Sequence, residues 1–281
     1  MSAWKFVCIT AVLLLSPPAF SAVDLIFGLY ASNKPTEMVI KFRPVLNELE
    51  KQMATILKEP VSIRIKIAAD YEEGRRQLIA GEVDFSRFGP VSYVIAKQEQ
   101  PGIEIQAIES QKGEYYFRGV IAVPSDSELN SIENLKGKSF AFGNEQSTTG
   151  RYLSQLLLSE HGIKAGDLAN FSYLGRHDKV AAVLDANKFD AGALNEKTFK
   201  KSVAKGKKIK ALAYFPCPTK PWITRDGLPQ QIKNAISQSL LQFENKAALE
   251  KLKYEGFLPP REDIYKAMND AVQRNPEFLQ N

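Results

Sequence analysis

Short apolar runs rich in β-branched and aromatic residues alternate along the chain with segments whose apolar residues recur every three or four positions. That rhythm predicts strands followed by amphipathic helices, an α/β layered fold with largely parallel strands. The first strand is expected at residues 24–30 and the first helix at 36–57, apolar at Val39, Ile40, Leu46 and Leu49. Pro44 either kinks that helix or marks its true start, since proline has no N–H for the helical ladder. A strand at 61–68, a helix at 71–80 ended by Gly81, a strand at 83–88 and a helix over 91–98 opened by Pro90 follow.

Two longer runs come next, at 103–108 and 115–123, the second alternating as a crossover between two lobes would. The rhythm then restarts with a strand at 139–142, a helix at 148–161, a strand at 171–174, a helix at 177–186, a strand at 190–194, a helix from about 196 and a strand at 209–214. The proline-rich stretch FPCPTKP, 215–221, is expected to be extended, because residues before proline avoid the helical region, and it suits a second crossover. Helices near 229–244, 246–254 and 263–273 close the pattern. The expected division is a leader at 1–21, a first lobe of 22–116 with 222–281, and a second lobe of 117–221.

The leader has one early lysine, Lys5, an apolar run at 6–15, then Ser16-Pro17-Pro18 and the small residues Ala19 and Ser21. That order predicts a secretory signal peptide cut on one side of Ala22 or the other; its apolar part is too short to span a bilayer. Cys8 lies inside the apolar run, away from the cut, and does not read as a lipid-modified cysteine. Cleavage leaves about 260 residues, enough for two lobes, and leaves Cys217 alone, which excludes an intrachain disulfide and a multi-cysteine metal site. The net charge of +5 is modest for 281 residues. Lys200, Lys201, Lys205, Lys207, Lys208 and Lys210 form a run without interleaved aromatics, which reads as a solvated helix end and loop, with no nucleic-acid partner.

The stretch NEQSTTGRYLSQLLL, 144–158, carries the chemistry. It turns from a polar loop into an apolar-periodic helix, and a helix start offers unpaired N–H groups and a partial positive charge to an anion. Ser147, Thr148 and Thr149 add hydroxyl donors there, Gly150 would let a ligand approach, and Arg151 would add charge. Ser147 is equally an ordinary N-cap. His177 reads as a cap or exposed residue opening its helix, Tyr71 as a helix-end core aromatic, and His161 as a residue compensating the dipole at a helix C-terminus.

Several motifs together are similar to the phosphate/phosphite/phosphonate-binding proteins of ABC importers: FGLYASNKPTEMVIKFRPVLNELE near the start, ADY at 69–71, GEVDFSRFGPVSYVIA at 81–96, QSTTGRYL at 146–153, GRHDKVAAVLDANKFDAGALNE at 175–196 and PWITRDGLP at 221–229. The resemblance implies two Rossmann-like lobes joined by two crossovers, the type II periplasmic binding protein or Venus flytrap arrangement. It implies a monomeric, periplasmic solute-binding protein, not an enzyme, that closes by a hinge on a small phosphorus oxyanion and serves an ABC permease or, alternatively, a membrane sensor. No cofactor or metal is implied. Ser147, Thr148 and Thr149 would hold the oxygens, with Tyr71 and His177 closing from facing loops.

Departures from the family's pattern change the ligand expected. Its members usually carry a tyrosine on the first crossover, where Phe117 stands here with Tyr116 beside it; strand residues alternate faces, so only one of the two reaches the ligand. The branch that binds aminoalkylphosphonates has two carboxylates for the amine, at positions matching Lys197 and Lys220 here, with Glu196 adjacent as a substitute. Lysines repel an ammonium, so 2-aminoethylphosphonate is not expected to be the preferred ligand. Lysines facing the cleft suit a ligand with a second acid group, or phosphate or phosphite itself. An exported phosphate-ester hydrolase on the same fold, with Ser147 or Thr148 as nucleophile and His177 as base, is the alternative from a different class.

Overall fold

The computed structural model describes residues 22–31, 35–273 and 278. The expected signal peptide at 1–21 lies outside the described residues. Among them no helix is long and apolar enough to cross a membrane.

The first strand, β1 (Val23–Tyr30), leads into α1 (Pro35–Leu57), which runs through Pro44. The carbonyl that loses its partner to Pro44 belongs to Ile40, whose side chain is 66% exposed, so water can satisfy it. Met38, Phe42, Val45, Leu46, Leu49 and Met53 form the buried stripe. Val39 and Ile40, expected on it, face solvent, because the helix phase is set by the residues that reach β1 and β2 (Val61–Ala68). Then come α2 (Tyr71–Ile79), β3 (Phe85–Arg87), α3 (Pro90–Glu99) and β4 (Glu104–Ser110).

The second rhythm comprises β5 (Tyr116–Pro124), β6 (Ser139–Phe142), a π-helical turn (Thr148–Tyr152) running into α4 (Leu153–Glu160), β7 (Asn170–Tyr173), α5 (His177–Asp185), β8 (Ala191–Asn195), α6 (Glu196–Ala204) and β9 (Ile209–Pro218). The chain returns through β10 (Pro221–Thr224), α7 (Gln230–Leu241), α8 (Lys246–Leu252), β11 (Gly256–Leu258) and α9 (Lys266–Gln273). β10 and β11 are short and carry proline or glycine, so periodicity did not predict them.

Two sheets result, ordered β11-β4-β10-β3-β1-β2 and β7-β6-β8-β5-β9. Both are mixed rather than largely parallel: β1 pairs in parallel with β2 and β3, and β6 with β7 and β8, while β4, β5, β9, β10 and β11 make antiparallel pairs. The antiparallel members are the crossovers and the strands beside them. β5 and β9 lie side by side over Tyr116↔Pro218 to Pro124↔Ile209, so the lobes are joined by a two-stranded ribbon rather than two independent linkers. Thr219 N–H and Oγ1 both donate to the Tyr115 carbonyl, at 2.7 and 3.0 Å, and close the ribbon at the hinge.

One core lies under α1, α7 and α8, a smaller one under α5 and α6, and a third runs from α3 to α4 and α9. The C-terminal segment reaches across the molecule. Phe278, expected with the first lobe, packs its ring on Phe142 and Phe171, and its carbonyl accepts from Tyr173 Oη at 2.7 Å.

Candidate functional site

The parallel strands of both sheets end at the same cleft, the place where open α/β sheets put ligands. Tyr30 ends β1, Tyr71 opens α2 after β2, and Arg87 ends β3. From the other lobe, β6 leads to the 143–147 loop, β7 to His177, and β8 to Lys197 in the first turn of α6.

At the helix start, Ser147 is the N-cap: its Oγ accepts from the Gly150 N–H at 3.0 Å. The π-helical turn follows, with the Ser147 carbonyl accepting from the N–H groups of both Arg151 and Tyr152. Among the described residues no protein acceptor meets the N–H of Thr148 or Thr149. Ser147, Thr148 and Thr149 are all buried. Two amides and a row of hydroxyls at the positive end of a helix, shielded from water, are the donor set for an oxyanion.

Gly150 and Arg151 have other uses than the sequence suggested. A Cβ on Gly150 would lie 2.9 Å from Gly143 Cα, 3.0 Å from Ser147 Oγ and 3.1 Å from His177 Cε1. Its bare Cα therefore admits the Gly143 backbone and the His177 ring, not a ligand. Arg151 is buried, donates to the Glu145 carbonyl and stacks on Tyr152 with 4.4 Å to the ring centroid. It holds the loop from beneath instead of charging the cradle.

His177 thus stands against the helix start, and its buried Nδ1 has no partner. Burial first, and the Lys220 ammonium second, lower its pKa to about 4, so the ring is neutral at pH 7. Tyr71 stacks on Tyr30 with centroids 4.0 Å apart, and burial raises both phenols. Tyr30 Oη in turn accepts from the Gly89 N–H beside Thr148, whose Oγ1 accepts from the Val91 N–H at 3.1 Å. The two lobes meet there.

Tyr116 does not join this group. Its side chain is 43% exposed, while Phe117, on the opposite face of β5, turns its ring to Lys220 with the Nζ 5.1 Å from the centroid. Glu196, the expected substitute carboxylate, is bound by Arg118 and by Lys200 at 2.9 Å, which hold it below the usual carboxylate range.

Lys220 belongs to a cluster that sequence reasoning only half found. Arg87 and the fully buried Glu109 form a two-pronged pair at 2.8 and 2.8 Å, and Trp222 Nε1 also donates to Glu109. Arg87 lies 5.4 Å over the Phe42 ring and 5.9 Å over that of Tyr254; Lys41 shares both rings at 5.2 and 5.9 Å. Burial would raise Glu109, but Arg87 and the neighbouring ammoniums hold its carboxyl below the usual range. Burial, then Arg87, lowers Lys220 to about 8; burial, then Lys253, lowers Lys197 to about 8; burial, then Arg87, takes Lys41 well below the ordinary lysine value. The signal for Arg87 and Glu109 was present in the sequence, as charges within strands otherwise made of buried residues.

A family model described as "ABC transporter, phosphonate, periplasmic substrate-binding protein" matches residues 27–265. The chain belongs to that family. Within this phosphonate-binding family it is 34% identical over 132 residues to a probable ABC transporter phosphite binding protein, PhnD1, of Prochlorococcus marinus strain MIT 9301, covering 43% of each chain. It is 28% identical over 169 residues to the phosphate-import protein PhnD of Mycolicibacterium smegmatis, covering 56% of this chain and 50% of that one. The chain spans about half the length of the curated relatives it matches. The solved structure of Prochlorococcus PhnD1 in complex with methylphosphonate superposes with a TM-score of 0.76 at 20% identity, over 89% of this chain and 97% of that one. The shared fold is the two-lobed type II arrangement of periplasmic binding proteins. Among the described residues no group of three or more histidine, cysteine, aspartate or glutamate side chains could hold a metal.

Proposed function

We propose that this protein is an exported, monomeric solute-binding protein that captures a small phosphorus oxyanion by hinge closure and delivers it to an ABC importer, its signal peptide being removed on export. The observation that carries the reading is the buried helix start at Thr148 and Thr149, with two N–H groups lacking protein acceptors and the unpartnered His177 Nδ1 beside it. A phosphonate or phosphate has one to two negative charges and three or four acceptor oxygens, which such a cradle satisfies without leaving a charge unpaired. Tyr71 is the closing group from the first lobe. Family membership supports the importer as partner.

Calorimetric titration of the mature protein, freed of carried ligand by unfolding and refolding, tests this with phosphate, phosphite and methylphosphonate. Micromolar or tighter binding of one of them is expected, weakened about 10- to 100-fold in His177→Ala, the equivalent of one hydrogen bond to a charged group. Folded protein that gives no heat with all three would refute the oxyanion reading.

A further inference from the structure

On the hinge side of the cleft the charges do not balance. Lys41 from α1, Arg87 from β3, Lys197 from α6 and Lys220 at the head of β10 surround one carboxylate, Glu109, which Arg87 already grips with both guanidinium prongs. Among the described residues none of the three lysines pairs with a carboxylate. Register shows how elements distant in sequence bring them together. Glu109 N–H donates to the Lys220 carbonyl at 3.0 Å, and Trp222, two residues after Lys220, pairs with Arg87. Asn195, the last residue of β8, pairs with Gly119, and the chain then turns into α6, which puts Lys197 in the first helical turn near the end of β5 where the Phe117 ring faces Lys220. The rings of Phe42 and Tyr254 cover Lys41 and that of Phe117 covers Lys220, while Lys197 stands exposed at the rim.

Cations held in such surroundings without counter-charge are unfavourable, and the depressed values of Lys41, Lys197 and Lys220 show it. An anion supplied from outside removes the imbalance. Phosphate or phosphite in the Ser147–Thr149 cradle brings its charge to the His177 side, where Lys220 stands close enough to lower the ring's pKa. That group is met by a helix start of the second lobe, whereas Lys41 and Arg87 share the Phe42 and Tyr254 rings on the first. A molecule that also places charge beside Lys41 and Arg87 carries a second acidic end.

We propose that Lys197 and Lys220, backed by Lys41 and Arg87, form a second anion subsite, and that the ligand is a short phosphonate or phosphate ester that also carries a carboxylate. The inference rests on the oxyanion reading of the helix start and names the substrate class for it. It separates the simple anions from the two-headed ones, and it opposes an amine at this end of the ligand.

Calorimetry with matched probes tests it: methylphosphonate, phosphonoacetate, 2-aminoethylphosphonate and malonate against the ligand-free mature chain and the Lys197→Met/Lys220→Met variant. Phosphonoacetate is expected to bind at least about tenfold more tightly than methylphosphonate, and that ratio should collapse below about threefold in the variant. Equal affinity for the two, or preference for the amino compound, would overturn the subsite while leaving the oxyanion cradle standing. Binding of malonate with no phosphorus compound bound would overturn the oxyanion reading, and the ligand class with it. Thermal melts give a second readout. The ligand-free variant should melt above the wild type, because the uncompensated Lys220 cation is gone, and a lower melting temperature would contradict the imbalance on which the proposal stands.

Discussion

At the scale of single residues, protonation and steric fit decide what the cleft can hold. His177 has its pKa lowered to about 4 in the folded protein, from an ordinary value near 6.5. Between those values the unfolded chain binds more protons, so this residue's contribution to stability is full above about pH 6.5 and is lost as pH falls toward 4. Urea denaturation at pH 7, 5.5 and 4.5 should show the wild type losing more stability over that span than His177→Gln; equal losses would mean that the ring is not held neutral. The same ring is poised to donate to an oxyanion, since an arriving negative charge favours its protonated form. Tyr116 and Phe117 show how far one residue matters on a strand: one is in solvent and the other faces Lys220.

At the scale of elements, the helix start works because the loop before it packs backbone against backbone. The Gly143 N–H donates to the Gly150 carbonyl at 2.7 Å, and the His177 ring closes the third side. Gly150→Ala puts a Cβ into all three contacts and should cost about 1–3 kcal/mol in chemical denaturation together with a loss of anion affinity. Gly166→Ala, where a Cβ meets nothing within 4 Å, should change stability by less than about 0.5 kcal/mol. Similar costs for the two would refute this account of the loop. Strand and helix periodicity located α4 and Ser147, but it could not show which neighbour occupies the space that Gly150 leaves. Arg151 departs from its expected role for the same reason: its position beside the cradle is local, whereas its partners, the Glu145 carbonyl and the Tyr152 and Tyr173 rings, depend on how the loop folds back.

At the scale of the whole molecule, the β5–β9 ribbon and the C-terminal segment tie the lobes together. Tyr265 Oη donates to the Thr219 carbonyl at 3.0 Å, at the centre of the hinge, and Phe278 anchors on the second sheet. Contacts across the cleft, such as the Val91 N–H to Thr148 Oγ1 and Arg75 to Gln146, describe a closed arrangement. Small-angle scattering should show ligand drawing the mature chain toward a radius of gyration of about 18 Å, the value for a compact chain of about 260 residues, from a larger value without ligand. An unchanged radius would mean that closure is not coupled to binding. The sequence by itself determined what is local: the alternation of strands and helices, the capped helix start at Ser147, the leader's composition and the family motifs, because each depends on residues a few positions apart. Only the tertiary structure decided the mixed order of the sheets, the crossing of the C-terminal segment, and the meeting of Lys41, Arg87, Glu109, Lys197 and Lys220. Those residues lie on four different elements and the link before β10, and which of them share a cleft depends on strand order and on the closing of one lobe over the other.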